Sequence, residues 1–347
     1  MNFKINKWSR YVCVSIFLLL IIPLCERDRT ISGAVDRNIF EGQELVCAID
    51  LGDDMLSSKG LETGLSYELM KRFAQDNNCS IRIIAHNNNE NYLDSLTAGK
   101  VDFVIVRNDI AHDKDFVRLS CQLDGSTAIA IRKGQNLENL SKVNRWITHM
   151  KHCGDFTSIK SRFKGVGNPV KKAEMGVITR HVSPYDDLLR KYAAEVGWDW
   201  RMLAAVVYQE SKFSINSESY RGAQGLMQVM PSTAARYGIE DLTDPESNLK
   251  AGTSHLKMLQ NIWKKRELSP SEMIRFTLAS YNAGEGRILE CRRYAAEKGY
   301  DSDKWDEIVK TIPMMREEGL FQGYETIAYI ENIETIYDAI CKIHPLG

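Results

Sequence analysis

The sequence predicts an α/β lobe followed by an all-α domain. Between Leu45 and Lys133, short β-rich runs alternate with segments of helical spacing. Beyond Tyr185, β-branched clusters are few, and long amphipathic runs are punctuated by Gly and Pro. The length, 347 residues, is enough for two separate cores. A net charge of −1 supplies no clustered cationic surface, so nothing argues for a nucleic-acid partner.

The first 25 residues stand apart. Lys4, Lys7 and Arg10 precede an apolar run from Tyr11 to Leu24, interrupted by Ser15 and Pro23. That run is shorter than the roughly 20 apolar residues a membrane-spanning helix needs. With the charges that follow (Glu26, Arg27, Asp28), it reads as an export signal. It is either a signal peptide or a lipoprotein signal with Cys25 as the acylated residue. The expected location is the periplasm, with association to the outer membrane through this segment.

Residues 40–166 form the α/β lobe. Leu45–Ile49 reads as a strand, and Tyr67, Met70, Phe73 and Ala74 then recur at helical spacing. Ile81–Ala85 is a second strand, Tyr92–Ala98 a second helix, Val101–Val106 a third strand and Ser126–Ile131 a fourth. This order implies a sheet covered by helices. Asn168, Pro169 and the Lys171-Lys172 pair mark a linker over residues 167–182. From 183 to 347, DDLLRKYAAEVG, the segment after Trp198, PSTAARYG, NLKAGTSHLKMLQNIW, PSEMIRFTLASYNAG and ETIAYIENIETIYDAI each predict a helix. Six cysteines follow Cys25, none with CxxC spacing, so no metal site is expected. His149, His152 and Cys153 read as a solvated helix face. Cys291 and Cys341, both in the helical domain, are the first candidates for a disulfide.

The chemistry concentrates in the helical domain. Trp200, Leu203, Ala204 and Val207 form an apolar stripe, and Glu210 continues it at the end of that helix. Burial and the negative end of the helix dipole both disfavour its anion, so its pKa should rise. A carboxyl still protonated near neutrality is what protonation of a glycosidic oxygen requires. Taken alone, such a glutamate is more often a solvated helix end. Its company changes that reading. Gly222, Gly225 and Leu226-Met227-Gln228 precede Pro231, a first-turn residue, and the glycines let backbone approach a ligand. Tyr281-Asn282-Ala283-Gly284 closes a helix where Gly is an ordinary C-cap, and it also offers a tyrosine and an amide to a sugar. By residue type alone, Tyr329 belongs to the core.

Glu210-Ser211, Gly225-Leu226-Met227-Gln228, Tyr281-Asn282-Ala283-Gly284 and the trailing ETIAYIENIETIY together resemble the soluble lytic transglycosylase family. The likeness runs from Ser183 to near the C-terminus. It implies a lysozyme-like fold and cleavage of the β-1,4 bond between N-acetylmuramic acid and N-acetylglucosamine in peptidoglycan glycan strands. By the same resemblance Glu210 is the acid/base, and Ser211 supports it or the neighbouring sugar. Met227 and Gln228 line the groove, Tyr281 and Asn282 contact saccharide and acetamido groups, and Tyr329 lies near Glu210 within reach of a hydrogen bond. Ordinary glycosidases need a second carboxylate. None lies within these motifs, although Glu218 and Glu285 flank them. The implied reaction is therefore substrate-assisted, gives 1,6-anhydro ends, and uses no cofactor. A goose-type hydrolytic muramidase and a non-catalytic peptidoglycan-binding or sensing protein are the alternatives.

GLSYELMKRFA and YLDSLTAGKVDFVIV resemble the extracellular solute-binding protein family. Two departures matter. Most of that family's second lobe is missing, and Lys114 stands in the stretch where the family places a carboxylate-binding arginine. A single lobe cannot enclose a small ligand, which favours a docking or regulatory role toward a wall peptide or a protein partner. The pairing of the two regions resembles the membrane-bound type of lytic transglycosylase.

Overall fold

The computed structural model describes residues 39–345, apart from 52–56, 86–90, 109–115 and 135–136. The export signal, Cys25 and Lys114 lie outside the described residues. The lobe contains β1 (Glu44–Asp50), α1 (Ser57–Asp76), β2 (Ser80–Ala85), α2 (Tyr92–Thr97), β3 (Phe103–Arg107), β4 (Val117–Leu119) and β5 (Thr127–Arg132), followed by α3 (Leu137–His152) and α4 (Asp155–Phe163). The strands form one sheet in the order β2-β1-β3-β5-β4. β1 runs parallel to β2 and β3, while β5 is antiparallel to β3 and to β4.

Strand period explains why this sheet is covered on both sides. Leu45, Cys47, Ile49, Phe103, Ile105, Ile129 and Ile131 face one way, onto Met70 and Phe73 of α1 and Trp146 of α3. Ala48, Val104, Val106 and Ala130 face the other, onto Tyr92, Leu93 and Leu96 of α2. On the first face Phe73 sits edge-on to Phe40, Phe103 and Trp146, with centroids 5.1 to 5.7 Å apart. β4 was not foreseen; three residues long and only partly buried, it carries too little pattern to be read.

The 167–182 stretch, expected as a linker, contains a short helix, α5 (Pro169–Glu174). Asn168 caps it by accepting from the Val170 and Lys171 amides, and Pro169 takes the first turn. The Asn-Pro pair that suggested a break is thus a helix start. Helices α6 (Asp186–Val196), α7 (Trp200–Ser211), α8 (Pro231–Ala235), α9 (Pro245–Trp263), α10 (Pro270–Ala283), α11 (Glu285–Glu297), α12 (Trp305–Glu317) and α13 (Tyr324–Ile343) make up the second domain. α11 and α12 add to the expected set. The sulfurs of Cys291 and Cys341 are free, which corrects the expected disulfide: Cys291 packs in the core, and Cys341 lies on α13.

α7 lies at the centre, with every side chain from Arg201 to Tyr208 buried. α6 and α13 pack along it, and α5 packs on α13. The two parts meet directly. Tyr67 donates a hydrogen bond to Asp244 at 2.5 Å, and Lys71 pairs with the same carboxylate at 3.2 Å. Asp244 also caps α9 by accepting from the Ser247 amide, so one side chain serves helix and interface together. Among the described residues, no helix is long and apolar enough to cross a membrane.

Candidate active site

α7 starts at Asp199, whose carboxylate accepts from the Arg201 amide. Its stripe of small and branched apolar residues forces the helix into the core and carries Glu210 to the edge of that core, one residue from the helix end. There the chain turns back through two left-handed residues, Lys212 (φ 55°) and Phe213 (φ 66°). Phe213 is fully buried, and its burial supplies the drive for this unfavourable backbone.

Glu210 is half-buried, and its Oε1 accepts a hydrogen bond of 2.5 Å from the Tyr329 hydroxyl on α13. Burial raises the Glu210 pKa from 4.5 to about 7, against the opposing pull of that hydrogen bond and of the Lys212 charge. Burial, aided by the neighbouring Glu210 charge, also holds the Tyr281 and Tyr329 hydroxyls well above the usual phenol range, so both remain protonated. The result is a carboxyl that can both give and accept a proton near neutrality.

The loop from Ser217 to Met230 is held from beneath by Asn248 of α9. Its Oδ1 accepts from the Met227 amide at 2.9 Å, and its Nδ2 donates to the carbonyls of Gln224 and Leu242, both at 2.9 Å. Gly225 has φ 73°, and a Cβ there would come within 2.1 Å of the Asn248 amide, so glycine is required twice over. Gly252 serves similarly: a Cβ would strike Met227 Sδ at 2.3 Å. Sequence reasoning passed over Asn248. The signal was present, since it lies four residues before Gly252 on the buried, mostly apolar face of α9.

The predicted residues divide by position. Tyr329 and Glu210 touch. Tyr281 is half-buried and donates to the Met227 carbonyl at 2.7 Å, tying α10 to the loop. Asn282 is exposed; its Oδ1 accepts from Thr326 at 2.9 Å, which leaves its NH₂ toward solvent. Gln228, itself left-handed (φ 49°), is half-buried and donates to the carbonyls of Ser217 and Gly225, each at 3.0 Å. Met227 differs from the expectation of a groove-lining side chain. The Ser211 hydroxyl is buried and donates to the Leu226 carbonyl at 2.8 Å, and the Met227 side chain is fully buried. Ser211 thus ties the end of α7 to the loop, and the Met227 side chain packs beneath the loop instead of lining a groove. Next to Tyr281 stand His255, with ring centroids 5.5 Å apart, and Tyr237, whose hydroxyl is 3.3 Å from His255 Nδ1. Burial lowers the His255 pKa, which favours the neutral ring. Among the described residues no cluster of His, Cys, Asp or Glu could hold a metal ion.

With a helical domain built around one half-buried, tyrosine-bonded glutamate, residues 187–304 match the family described as Transglycosylase SLT domain. The chain as a whole is similar to proteins named membrane-bound lytic murein transglycosylase F. The relative from Desulfosudis oleivorans is 28% identical over 296 residues, covering 79% of this chain and 64% of the relative. The one from Marinobacter nauticus is 31% identical over 210 residues, covering 57% of this chain and 42% of the relative. The chain thus spans less than two thirds of the length of these relatives. Among solved structures, the 70 kDa soluble lytic transglycosylase of Escherichia coli is 27% identical with a TM-score of 0.35, covering 45% of this chain and 24% of that one.

Proposed function

We propose that this protein is a lytic transglycosylase that cleaves the β-1,4 bond between N-acetylmuramic acid and N-acetylglucosamine in peptidoglycan without consuming water. The observation that carries this reading is the state of Glu210: a half-buried carboxyl, bonded to Tyr329 and poised at a pKa of about 7. Glu210 gives its proton to the glycosidic oxygen as the bond to the muramoyl C1 breaks. The acetamido oxygen of the same sugar closes on C1 and holds the positive charge. The carboxylate, steadied by Tyr329, then takes the proton of the C6 hydroxyl, whose oxygen displaces the acetamido group and closes the 1,6-anhydro ring. One carboxyl thus serves both steps and ends as it began. The outward NH₂ of Asn282 and the ring of Tyr281 are placed to meet the saccharide, while Gln228, Ser211 and Met227 hold the loop that shapes its bed. Residues 40–166, 167–182 and 183–347 act as a lobe that docks a wall peptide or protein, a connecting helix, and a catalytic domain. Residues 1–25 export the chain to the periplasm and associate it with the outer membrane.

The test is digestion of purified sacculi followed by mass spectrometry of the released fragments. Anhydro-muramoyl ends support the reading, whereas reducing muramoyl ends would make the protein a hydrolase. Glu210→Gln should lower turnover by at least about a hundredfold, the scale expected of a lost acid/base. Undiminished turnover would remove Glu210 from the chemistry.

A further inference from the structure

A concentration of positive charge between the two parts has no role in that scheme. The chain bears a net charge of −1, yet residues 160–181 carry Lys160, Arg162, Lys164, Lys171, Lys172 and Arg180 against a single acid, Glu174. Arg162, Lys164, Lys172 and Arg180 line one cavity of about 580 Å³, where the end of α4, the turn after it, α5 and the segment 177–181 meet. Among the described residues no carboxylate lines it. Arg162 is committed to Glu68 at 3.1 Å, and the His181 ring lies 3.7 Å from Asp186. The other three cations are uncommitted. Lys172 donates to the Gly165 carbonyl, a backbone oxygen that balances no charge. Lys164 and Arg180 are exposed and pair with no carboxylate among the described residues.

A second observation is independent of charge. The Thr179 hydroxyl belongs to the same cavity, is buried, and has no hydrogen-bond partner among the described residues. Buried hydroxyls are ordinarily satisfied, so one left open beside three cations calls for an acceptor. The chemistry of that acceptor follows from the donors. A carboxylate brings one charge and is met by a single forked arginine. Three cations and a hydroxyl suit a group of about two negative charges and three acceptor oxygens, which is a phosphomonoester. Burial lowers the Lys172 pKa, and an anion in the cavity would offset that cost.

We propose that this cavity is a binding site for a phosphomonoester group, held by Lys164, Lys172, Arg180 and the Thr179 hydroxyl. Its walls come from both parts. Lys164 directly follows α4 of the α/β lobe. Thr179 is fixed to the end of α13, its amide donating to the Ile343 carbonyl at 2.8 Å and its carbonyl 3.1 Å from His344 Nδ1. A bound phosphate therefore bridges lobe and helical domain. The site is independent of Glu210 and stands whether or not the acid assignment does. Two sources carry the group, a soluble phosphate and a lipid headgroup. Met175 and Ile178, 65% and 68% exposed on the same segment, give the second source its own test.

The experiment is calorimetric titration of the full chain with inorganic phosphate at constant ionic strength, with acetate as the carboxylate control. Phosphate should bind saturably, and acetate at least about tenfold more weakly. The double variant Lys164→Gln/Arg180→Gln should lose at least about tenfold in phosphate affinity. Both side chains are exposed, and Lys164→Gln alone, with a loss of about threefold, keeps the comparison if the double variant melts early. Thr179→Val should also lose about threefold, with no fall in the Tm measured without phosphate, because the hydroxyl it removes has no protein partner. The proposal is overturned by the absence of saturable phosphate binding, by acetate binding as tightly, or by a double variant or Thr179→Val that binds like the wild type. Partition onto phosphatidylcholine vesicles with and without phosphatidic acid separates the sources. A headgroup ligand gives a preference for phosphatidic acid that the double variant and Met175→Ser/Ile178→Ser each reduce. A soluble ligand leaves partition equal in all three proteins, since residues 1–25 are the same in each. Either result keeps the site and names its source.

Discussion

An acid kept protonated by burial should weaken the fold it serves, and Glu210→Gln measures by how much. The folded protein holds the Glu210 proton with a pKa of about 7, against 4.5 for an unburied glutamate. Because the folded value is the higher one, folding is favoured by protonation. Below pH 4.5 both states carry the proton and nothing is lost. As pH rises through 4.5 the unfolded chain ionises first and gains stability relative to the fold, until the folded carboxyl also ionises near 7. At about 1.4 kcal/mol per pH unit, the wild type therefore gives up at most about 3.5 kcal/mol between those limits. Glutamine cannot ionise, and its carbonyl can still accept the Tyr329 hydroxyl. The variant should match the wild type near pH 4 and exceed it by up to about 3.5 kcal/mol at pH 8, or roughly 7 to 14 °C in Tm. Urea titrations of both proteins at half-unit steps from pH 4 to 8 give the difference directly. Other groups titrate in both proteins and cancel. A difference that stays constant over this range would mean that Glu210 is not held as a buried acid, and the catalytic argument built on it would fail.

Two further outcomes follow from neighbouring contacts. Tyr329→Phe removes the hydroxyl that favours the Glu210 anion, so the alkaline limb of the pH–rate profile should move up, at a stability cost of about 1 kcal/mol. A limb that moved down would reverse the assigned role of that hydrogen bond. Asn248→Ala strips the Met227 amide and the carbonyls of Gln224 and Leu242 of a buried partner. Chemical denaturation should register a loss of about 2 to 4 kcal/mol, with turnover falling as the loop loosens. A loss below about 1 kcal/mol would show that the loop holds itself.

Where local pattern was strong, it was legible. The alternation of strand and helix runs between Leu45 and Lys133 announced a sheet covered by helices, and the stripe ending at Glu210 announced a helix that delivers a carboxyl to the core edge. Patterns with two meanings misled: Asn168-Pro169 marks a break or a helix start, and only the packing of α5 on α13 chose the second. The inward turn of Met227 was equally hidden, because a short motif names residues without saying which way each side chain will pack.

Chain order and residue chemistry alone determined that an α/β part precedes a helical one, and that Glu210 is the proton donor to consider. Only the tertiary structure decided how strongly that proton is held, since this depends on Tyr329, 119 positions away in the chain, and on how much water the packing excludes. It also decided that Asn248 carries the loop. Hydrogen bonds and fields act through space, and a sequence records neighbours along the chain but not across the fold.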